Sequence, residues 1–356
     1  MKIVHLISSL AGGPAKVMVP LIINKLHSDN HSIFVLSDLI IDKELHLQLI
    51  SNDIEVNFVQ RRFFFDIRPP LILYRLTKNL PPNLILSYDN YSNVIGFLRV
   101  LFKSKIKLIC SVHGLKGAFK WWKIPLQKII YKLANFVVVP SIHVKNKLVL
   151  NKIIDQNKIK VIHNGIDLNF CIKKKISLEN EVKIVCLANF YSEIKGQKYL
   201  LHALKFLPYK FKIYFIGDGI LIDSIKKLVV DYKLNDRVTF LGFKNETFLR
   251  KNLSKYDVMV IPSLSESFCI AALEGMASGL PVIASNVGGL KEIFKQNQNG
   301  ILVKPGNSQS IANELKNLTN NIKKYKFIKE NGLKSVRNNF NQELMVKNYY
   351  NVFKSL

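Results

Sequence analysis

The sequence predicts an α/β protein made of two Rossmann-like domains, each built on a parallel sheet. Short apolar runs alternate with longer amphipathic stretches along most of the 356-residue chain, and this alternation is typical of parallel sheets covered by helices. A polar, lysine-rich stretch interrupts the alternation near the middle, and the chain length also favours two domains. We therefore expect two sheets facing each other across a cleft, with ligands beyond the carboxyl ends of the strands.

The apolar runs divide into two series. The first predicts seven strands in an N-terminal domain over residues 1–170: 2–7, 32–36, 56–59, 84–87, 107–110, 136–139 and 160–162. Residues 171–181 form the predicted linker. The second series predicts six strands in a C-terminal domain over residues 182–335: 183–187, 212–216, 238–241, 258–261, 281–284 and 301–303. Residues 336–356 predict a C-terminal helix that packs back on the N-terminal domain.

Composition excludes several classes of protein. The longest apolar stretches, such as residues 17–23, fall far short of the roughly 20 residues that span a bilayer. The first ten residues predict a buried strand and not a signal peptide, because their apolar part is short and contains His5. The four cysteines are widely spaced without a CxxC pair, which indicates neither a zinc site nor a disulfide framework. We expect a cytoplasmic protein.

Positive charge is concentrated in the N-terminal half. The net charge is +27, and residues 61–147 contain sixteen Lys or Arg against two Asp. Large apolar residues are mixed into this charge at 63–65, 97–103 and 119–123, and tryptophan beside lysine suits the headgroup layer of an anionic membrane. We expect peripheral contact with the inner face of the cytoplasmic membrane, with a solvated basic surface as the alternative. Without a recognition-helix, zinc-finger or RNP-type pattern, nucleic acid is not an expected partner.

The most informative segment covers residues 262–284, which read as strand end, loop, helix, tight turn and strand. The loop at residues 267–269 would present backbone N–H groups at a helix N-terminus, where a diphosphate binds well. Glu274 lies in an apolar, small-residue helix pattern, and a carboxylate there needs a partner. Glu266 precedes it by eight residues, about 12 Å if helical. That span compares with the reach from a sugar across a diphosphate to a ribose.

This segment resembles the E-x7-E region of the retaining glycosyltransferases of family 4, also called glycosyl transferases group 1, which have the GT-B fold. Six further motifs agree in order along the chain. They are the glycine-rich loop at residues 8–15, the strand-end histidine motif at 110–114, the asparagine-glycine turn at 161–167, the phosphate lysine at 195–196, the strand-end turn at 217–219 and the base-flanking strand at 238–243.

The resemblance implies a role for individual residues. Lys195 would neutralise the donor diphosphate, Glu274 would hold the ribose hydroxyls and Glu266 the donor sugar. His113 would lie beside the donor sugar, and the glycines of the first loop would let the backbone approach it. The implied catalytic residues are His113, Lys195 and Glu266. The implied donor-binding residues are Gly12, Gly13, Asn189, Lys195, Phe243, Glu266, Ser267, Phe268, Cys269, Ile270 and Glu274.

The sequence departs from the family pattern at three positions. Asn189 stands where the family usually has an arginine, six positions before Lys195, and Ser267 and Cys269 replace glycines common in the donor loop. No two of the thirteen aspartates are separated by a single residue, so the metal-holding DxD motif of the other major glycosyltransferase fold is absent. We expect neither a metal nor a cofactor, since the nucleotide-sugar is a substrate.

The predicted function is that of a retaining glycosyltransferase in cell-surface polysaccharide or lipopolysaccharide biosynthesis. UDP is the family's commonest carrier and GDP the alternative, and the acceptor would be a saccharide or a lipid-linked molecule. A nucleotide-sugar epimerase of similar fold is a second possibility, and it would convert the donor without an acceptor. A non-catalytic relative, with Asn189 as a sign of decay, is the third. The joint presence of Lys195, Glu266 and Glu274 argues against that third possibility.

Overall fold

The structure, a computed structural model, describes residues 1–10, 12–23, 29–36, 42–59, 66–102, 105–114, 124–172 and 176–356. Three predicted features lie outside these residues: Ala11 of the glycine-rich loop, the aromatic run 63–65 and the basic-aromatic run 119–123. The chain divides into two compact units. The first contains residues 1–164 and 343–356, and the second contains residues 165–342.

The first unit is built on a parallel sheet of seven strands, most of them formed by short apolar runs. Its strands are β1 (Lys2–Ile7), β2 (Asn30–Val35), β3 (Glu55–Phe58), β4 (Leu84–Ser87), β5 (Lys107–Ser111), β6 (Phe136–Val139) and β7 (Ile159–Val161). Their order is β3-β2-β1-β4-β5-β6-β7. The strand order reverses at β1, which pairs with both β2 and β4, and such switch points open a crevice at the carboxyl edge of a sheet.

Helices cover both faces of this sheet. They are α1 (Gly12–Ile23), α2 (Lys43–Ile50), α3 (Arg68–Thr77), α4 (Asn90–Leu101), α5 (Ile124–Leu133), α6 (Ile142–Leu150) and α14 (Gln342–Lys354). One face packs against α1, α2 and α14, and the other packs against α3, α4, α5 and α6. Asp89 and Ser92 form a reciprocal capping box that fixes where α4 begins.

The second unit carries a six-stranded parallel sheet in the order β10-β9-β8-β11-β12-β13. Its strands are β8 (Val182–Leu187), β9 (Phe211–Ile216), β10 (Val238–Phe240), β11 (Val258–Ile261), β12 (Val282–Ser285) and β13 (Ile301–Val303). Its helices are α7 (Gln197–Ala203), α8 (Ile222–Asp231), α9 (Glu246–Asn252), α10 (Ile270–Ala277), α11 (Leu290–Ile293), α12 (Ser308–Thr319) and α13 (Ile322–Asn339). The strand order reverses between β8 and β11, again as in a doubly wound sheet.

The predicted α/β class with two parallel sheets is confirmed, and each of the thirteen predicted strands is present with bounds that differ by at most two residues. The division of the chain differs from the predicted boundaries. Residues 165–172 and 176–181, around the predicted linker, group with the second unit, where the backbone of Ile166 bonds to Phe340 and Gln342 and Leu178 lies in the core. In the described residues no helix combines the length and the apolar character needed to cross a bilayer.

Candidate active site

Lys195 is held in a short turn after the first strand of the second unit. It ends a one-turn 3₁₀ helix, Glu193–Lys195, which Ser192 caps. Gly196 follows with a φ of +69°, and a Cβ there would lie 2.0 Å from the carbonyl oxygen of Pro262. Only glycine fits this conformation and this close approach without strain. The turn that carries Lys195 is therefore fixed against the loop that leaves β11, and Leu264 N–H donates to the carbonyl of Ile194 at 2.7 Å.

Lys195 and Glu266 form an ion pair. Nζ of Lys195 lies 2.7 Å from Oε1 of Glu266, and the hydroxyl of Ser263 donates to the same oxygen at 2.8 Å. Burial lowers the pKa of Lys195, but the Glu266 carboxylate together with the nearby Cys269 and Cys186 raises it by more, so the net pKa lies above its usual value. The lysine consequently stays positive at neutral pH while lying mostly out of solvent. This is the state that a counter-charge for a phosphate needs.

Glu274 lies in the middle of α10 with only 4% of its surface exposed. The helix begins after Cys269, which makes no side-chain capping bond. Phe268 and Cys269 pack their side chains into the core beneath the loop, so only their backbone atoms are available to a ligand. Burial raises the pKa of the Cys269 thiol to about 12, which keeps it protonated. Ser267 and Ile270, at the two ends of this stretch, are partly exposed.

A glycine pair, Gly288 and Gly289, contacts the backbone of Glu266, and the sequence interpretation missed its importance. Gly288 has a φ of +50°, and a Cβ there would lie 1.9 Å from the carbonyl oxygen of Glu266. Gly289 donates its N–H to the same oxygen at 3.0 Å, and its own Cβ would lie 2.4 Å from the carbonyl oxygen of Ser267. The turn after β12 thus packs directly on the backbone of the loop. In the sequence, the signal for this turn is the pair of consecutive glycines that follows a buried strand.

Asn189 lies just after the carboxyl end of β8, close to the predicted strand-end turn at residues 217–219. Its side chain is exposed, and its carbonyl accepts a hydrogen bond from Nε2 of Gln197 at 2.9 Å. The turn at residues 217–219 packs against this loop, since a Cβ at Gly217 would lie 2.1 Å from the carbonyl oxygen of Ala188. Phe243 follows β10, two strands away from β8 in the sheet, with 68% of its surface exposed. An apolar ring left in solvent at a strand end suits stacking with a flat ligand.

In the first unit, the predicted glycine-rich loop follows β1. Gly12 begins α1 with a φ of +71°, and among the described residues no atom would lie within 4 Å of a Cβ at this position. Gly13 is partly exposed. Asp89 ties this loop to the end of β4, because Ser8 donates to its carboxylate through both N–H and Oγ, at 2.7 and 2.6 Å. The carboxyl ends of β1 and β4 are therefore joined where the strand order reverses.

His113 lies just after β5 at the same edge of the first sheet. Neither of its ring nitrogens is exposed, and neither has a hydrogen-bond partner among the described residues. Burial lowers its pKa to about 4, so the ring is neutral at physiological pH. A neutral imidazole offers one donor and one acceptor, which matches a sugar hydroxyl better than a phosphate.

A buried chain of rings holds His113 in place, and the sequence interpretation did not find it. The ring of Tyr88 stacks on His113 with centroids 6.1 Å apart and 17° between the planes. Oη of Tyr88 is hydrogen-bonded to Nδ1 of His5 at 2.9 Å, and Nε2 of His5 to Nδ1 of His31 at 2.9 Å. Burial, helped by His31, lowers the pKa of His5 well below its usual value. The only sequence signal was a tyrosine directly after a strand.

The predicted site residues thus fall into two groups. Gly12, Gly13 and His113 lie at the carboxyl edge of the first sheet. Lys195 and Glu266 contact each other in the second unit, where Asn189, Phe243, Ser267, Phe268, Cys269, Ile270 and Glu274 also lie. No group of three His, Cys, Asp or Glu side chains suited to holding a metal occurs in the part of the chain that the structure describes. The roles inferred for these residues toward a donor stay predictions.

Comparisons with known proteins agree with the two-domain fold described above. A family model described as "Glycosyl transferases group 1" matches residues 170–335, and one described as "Glycosyltransferase Family 4" matches residues 15–170. An uncharacterized glycosyltransferase of Methanocaldococcus jannaschii is 35% identical over 212 residues, which are 56% of this chain and 54% of that protein. The match therefore spans about half the length of that relative.

A second relative matches over more of both chains. It is the UDP-Gal:alpha-D-GlcNAc-diphosphoundecaprenol alpha-1,3-galactosyltransferase of Escherichia coli, 26% identical over 78% of this chain and 76% of that protein. Among solved structures, Anabaena HepE in complex with UDP and glucose superposes with a TM-score of 0.87 at 22% identity over the whole of both chains. The two family models together span residues 15–335, and with the two parallel sheets they establish that this chain belongs to the family 4 (group 1) glycosyltransferases of the GT-B fold.

Proposed function

We propose that this chain transfers a sugar from a UDP-sugar to a saccharide or lipid-linked acceptor, with retention of anomeric configuration and without a divalent metal. The observation that carries the proposal is the Lys195–Glu266 ion pair, with Nζ and Oε1 2.7 Å apart at the carboxyl edge of the second sheet. A cation held there suits a donor diphosphate, and a carboxylate beside it suits sugar hydroxyls. Glu274, in the helix that follows, would hold the ribose.

The proposed reaction needs the protein mainly to position donor and acceptor and to stabilise the negative charge that develops on the leaving group. The bond between the anomeric carbon and the diphosphate oxygen breaks, the acceptor hydroxyl oxygen bonds to the anomeric carbon, and its proton leaves with UDP. Negative charge grows on the diphosphate during this step, so a fixed cation lowers the barrier. Lys195 supplies that cation, and the absence of a DxD pair from the sequence supports a mechanism without metal. His113, neutral because its pKa is about 4, would orient a sugar hydroxyl and not act as an acid.

The donor and acceptor classes rest on the relatives. The E. coli relative is named as a UDP-galactose transferase that acts on a diphosphoundecaprenol-linked sugar, and another is named an O-antigen biosynthesis glycosyltransferase. The solved Anabaena structure contains UDP. These names support a UDP-sugar donor and a lipid-linked acceptor in polysaccharide or O-antigen biosynthesis. They also support a reaction at the inner face of the cytoplasmic membrane, where such an acceptor would be reached.

The proposal is tested with purified protein and a panel of UDP-, GDP- and dTDP-sugars. We expect calorimetry to detect binding of one UDP-sugar and chromatography to detect its slow hydrolysis without an acceptor. NMR of the product formed with a lipid-linked acceptor should show the anomeric configuration of the donor, and EDTA should leave the rate unchanged. An inverted product or a rate restored only by Mg²⁺ would refute that part of the proposal. Conversion of the donor sugar into its epimer without an acceptor would favour an epimerase instead.

A further inference from the structure

We propose that the outward sides of α3, α4 and α5 together form a docking surface for an anionic lipid bilayer. These three helices lie on the same face of the first sheet, where Leu73 and Ile130 anchor α3 and α5 in one core. α4 lies between the other two and packs against both. Their outward sides are therefore neighbours. We call this surface the α3–α5 face. The inference rests on the proposed function in one respect, because a lipid-linked acceptor would be reached at a bilayer. The geometry of the face does not involve the donor site.

Large apolar side chains point outward along this face. They are Leu71, Tyr74, Phe102, Leu126, Ile129 and Leu133. The rings of Tyr74 and Phe102 contact each other with centroids 5.7 Å apart, which joins α3 to the end of α4. On α5, residues 126, 129 and 133 are spaced by three and four positions and so form one exposed stripe. An ordinary surface helix turns such a stripe toward the core. An apolar patch that faces solvent on several adjacent helices marks an interaction surface.

The charge on this face has one sign. Arg75 and Lys78 are exposed at the end of α3, and Lys128 and Lys132 are exposed on α5. Across the described residues from 68 to 133, the single acidic residue is Asp89. Its carboxylate is occupied by the cap of α4 and by Ser8 at the carboxyl edge of the sheet, and so it does not offset these cations.

The opposite face of the same sheet provides the contrast. Around α2 and α14, acidic residues are interspersed with basic ones: Asp42, Glu44, Asp53 and Glu55 near α2, and Glu343 on α14. Exposed apolar side chains occur there too, notably Leu47 and Ile50 on α2. Apolar exposure is therefore shared by both faces of this sheet, whereas among its described residues the combination of exposed apolar side chains with unopposed positive charge lies on the α3–α5 face.

This combination fits an anionic bilayer. Lysine and arginine near an anionic surface add favourable energy residue by residue, and apolar side chains between them enter the boundary between headgroups and acyl chains. Each contribution has a recognisable signature, because the electrostatic part weakens with salt and the apolar part does not. We therefore expect binding that requires anionic lipid and that decreases as the salt concentration rises.

The test is sedimentation of the full-length protein with vesicles, which needs neither donor nor acceptor. Vesicles of phosphatidylcholine with phosphatidylglycerol are compared with vesicles of phosphatidylcholine alone. One variant carries Ile129→Glu and Leu133→Glu, and a second carries Lys128→Glu and Lys132→Glu. The matched control carries Leu47→Glu and Ile50→Glu on α2. The exposed fractions are 52% and 52% at the two α5 positions and 64% and 54% at the two α2 positions, so both pairs should be tolerated by the fold.

We expect the parent and the α2 control to sediment with anionic vesicles, and both α5 variants to bind them about tenfold or more weakly, since two charges are reversed or added at the bilayer. Circular dichroism and nucleotide binding by calorimetry check that each variant is folded.

The proposal is overturned if folded α5 variants sediment like the parent, or if the α2 control loses binding equally. It is also overturned if the parent binds neither kind of vesicle, since a face that docks only on a protein would leave vesicles unbound. If the parent does not bind nucleotide, the proposed donor site is wrong, but the comparison of vesicle binding between the variants still stands.

Discussion

Nζ of Lys195 and Oε1 of Glu266 lie 2.7 Å apart, although 71 residues separate them along the chain. The family resemblance implied that the lysine contacts the donor diphosphate and the glutamate the donor sugar, as two separate ligands. The structure makes them partners of each other. A donor that engages both groups would exchange this ion pair for contacts with its own phosphate and hydroxyl groups.

The first prediction concerns Lys195→Ala. Because charge grows on the leaving diphosphate only as the reaction proceeds, the variant should lose kcat by about 10² to 10³-fold, on the scale of other single electrostatic stabilisers. Steady-state kinetics check this. Lys198→Ala is the matched control, since Lys198 lies three residues away and pairs with Glu193 at 2.9 Å. Equal kinetics for the two folded variants would mean that the donor binds elsewhere.

Glu274→Gln should show a different kinetic signature. Glu274 would hold a ribose that does not change during the reaction, and uniform binding of this kind appears mainly in KM. We expect the donor KM and the dissociation constant of free UDP to rise by about tenfold or more, as for loss of a charged hydrogen bond, with a smaller change in kcat. Glu314→Gln, which breaks the surface ion pair with Lys324, should change neither. A fall in kcat at unchanged UDP affinity would contradict the assignment.

Asn189→Arg should tighten nucleotide binding. The exposed side chain of Asn189 makes room for a longer one, and the hydrogen bond from Gln197 uses only its carbonyl, so the substitution leaves the local backbone contacts intact. A second cation near the phosphates adds a charge-assisted contact. Calorimetry with UDP should therefore report a lower dissociation constant than for the parent, and Asn189→Gln should not differ from the parent. Unchanged affinity in the arginine variant would show that position 189 does not reach the phosphates.

The strands and the donor loop were predictable because their information is local. A buried parallel strand is a short apolar run, and the segment with Glu266 and Glu274 is one continuous strand, loop and helix. The supports of the site depend on contacts between distant residues. His5 and His31 meet only because β1 and β2 pair in one register, with Ile3 opposite His31, and no periodicity along the chain shows this. Gly288 reaches the Glu266 carbonyl across a full helix and strand, for the same reason.

Gly288→Ala tests one of those supports. A Cβ at residue 288 would lie 1.9 Å from the Glu266 carbonyl oxygen, so the loop must shift in addition to the strain of a positive φ. At Gly306, φ is +69° but the nearest atom to a Cβ lies 3.6 Å away, so alanine there should cost only the strain, about 1 to 2 kcal/mol. We expect chemical denaturation to show a larger loss for Gly288→Ala, accompanied by weaker UDP binding. Equal losses at unchanged affinity would show that the turn does not position Glu266.

The last prediction is that acid destabilises the first unit through its buried histidines. Burial lowers the pKa of His113 from 6.5 to about 4, and the pKa values of His5 and His31 are lowered as well, mainly by burial. A depressed pKa means that the unfolded chain binds a proton before the folded chain does. The stabilisation is therefore complete above pH 6.5 and is lost as pH falls toward the folded-state pKa.

For His113 alone the loss between pH 7 and 4.5 should be about 2 to 3 kcal/mol, at roughly 1.4 kcal/mol per pH unit of the difference. Denaturant unfolding of the parent and of His113→Gln across this range measures it. Carboxylates titrate in both proteins, so the comparison rests on the difference between the two curves. The free energy of unfolding should decrease less steeply with acid in the variant, and NMR should show the His113 ring still neutral at pH 5.5. Parallel curves, or a ring that titrates near 6.5, would mean that His113 is not held out of solvent at the end of β5.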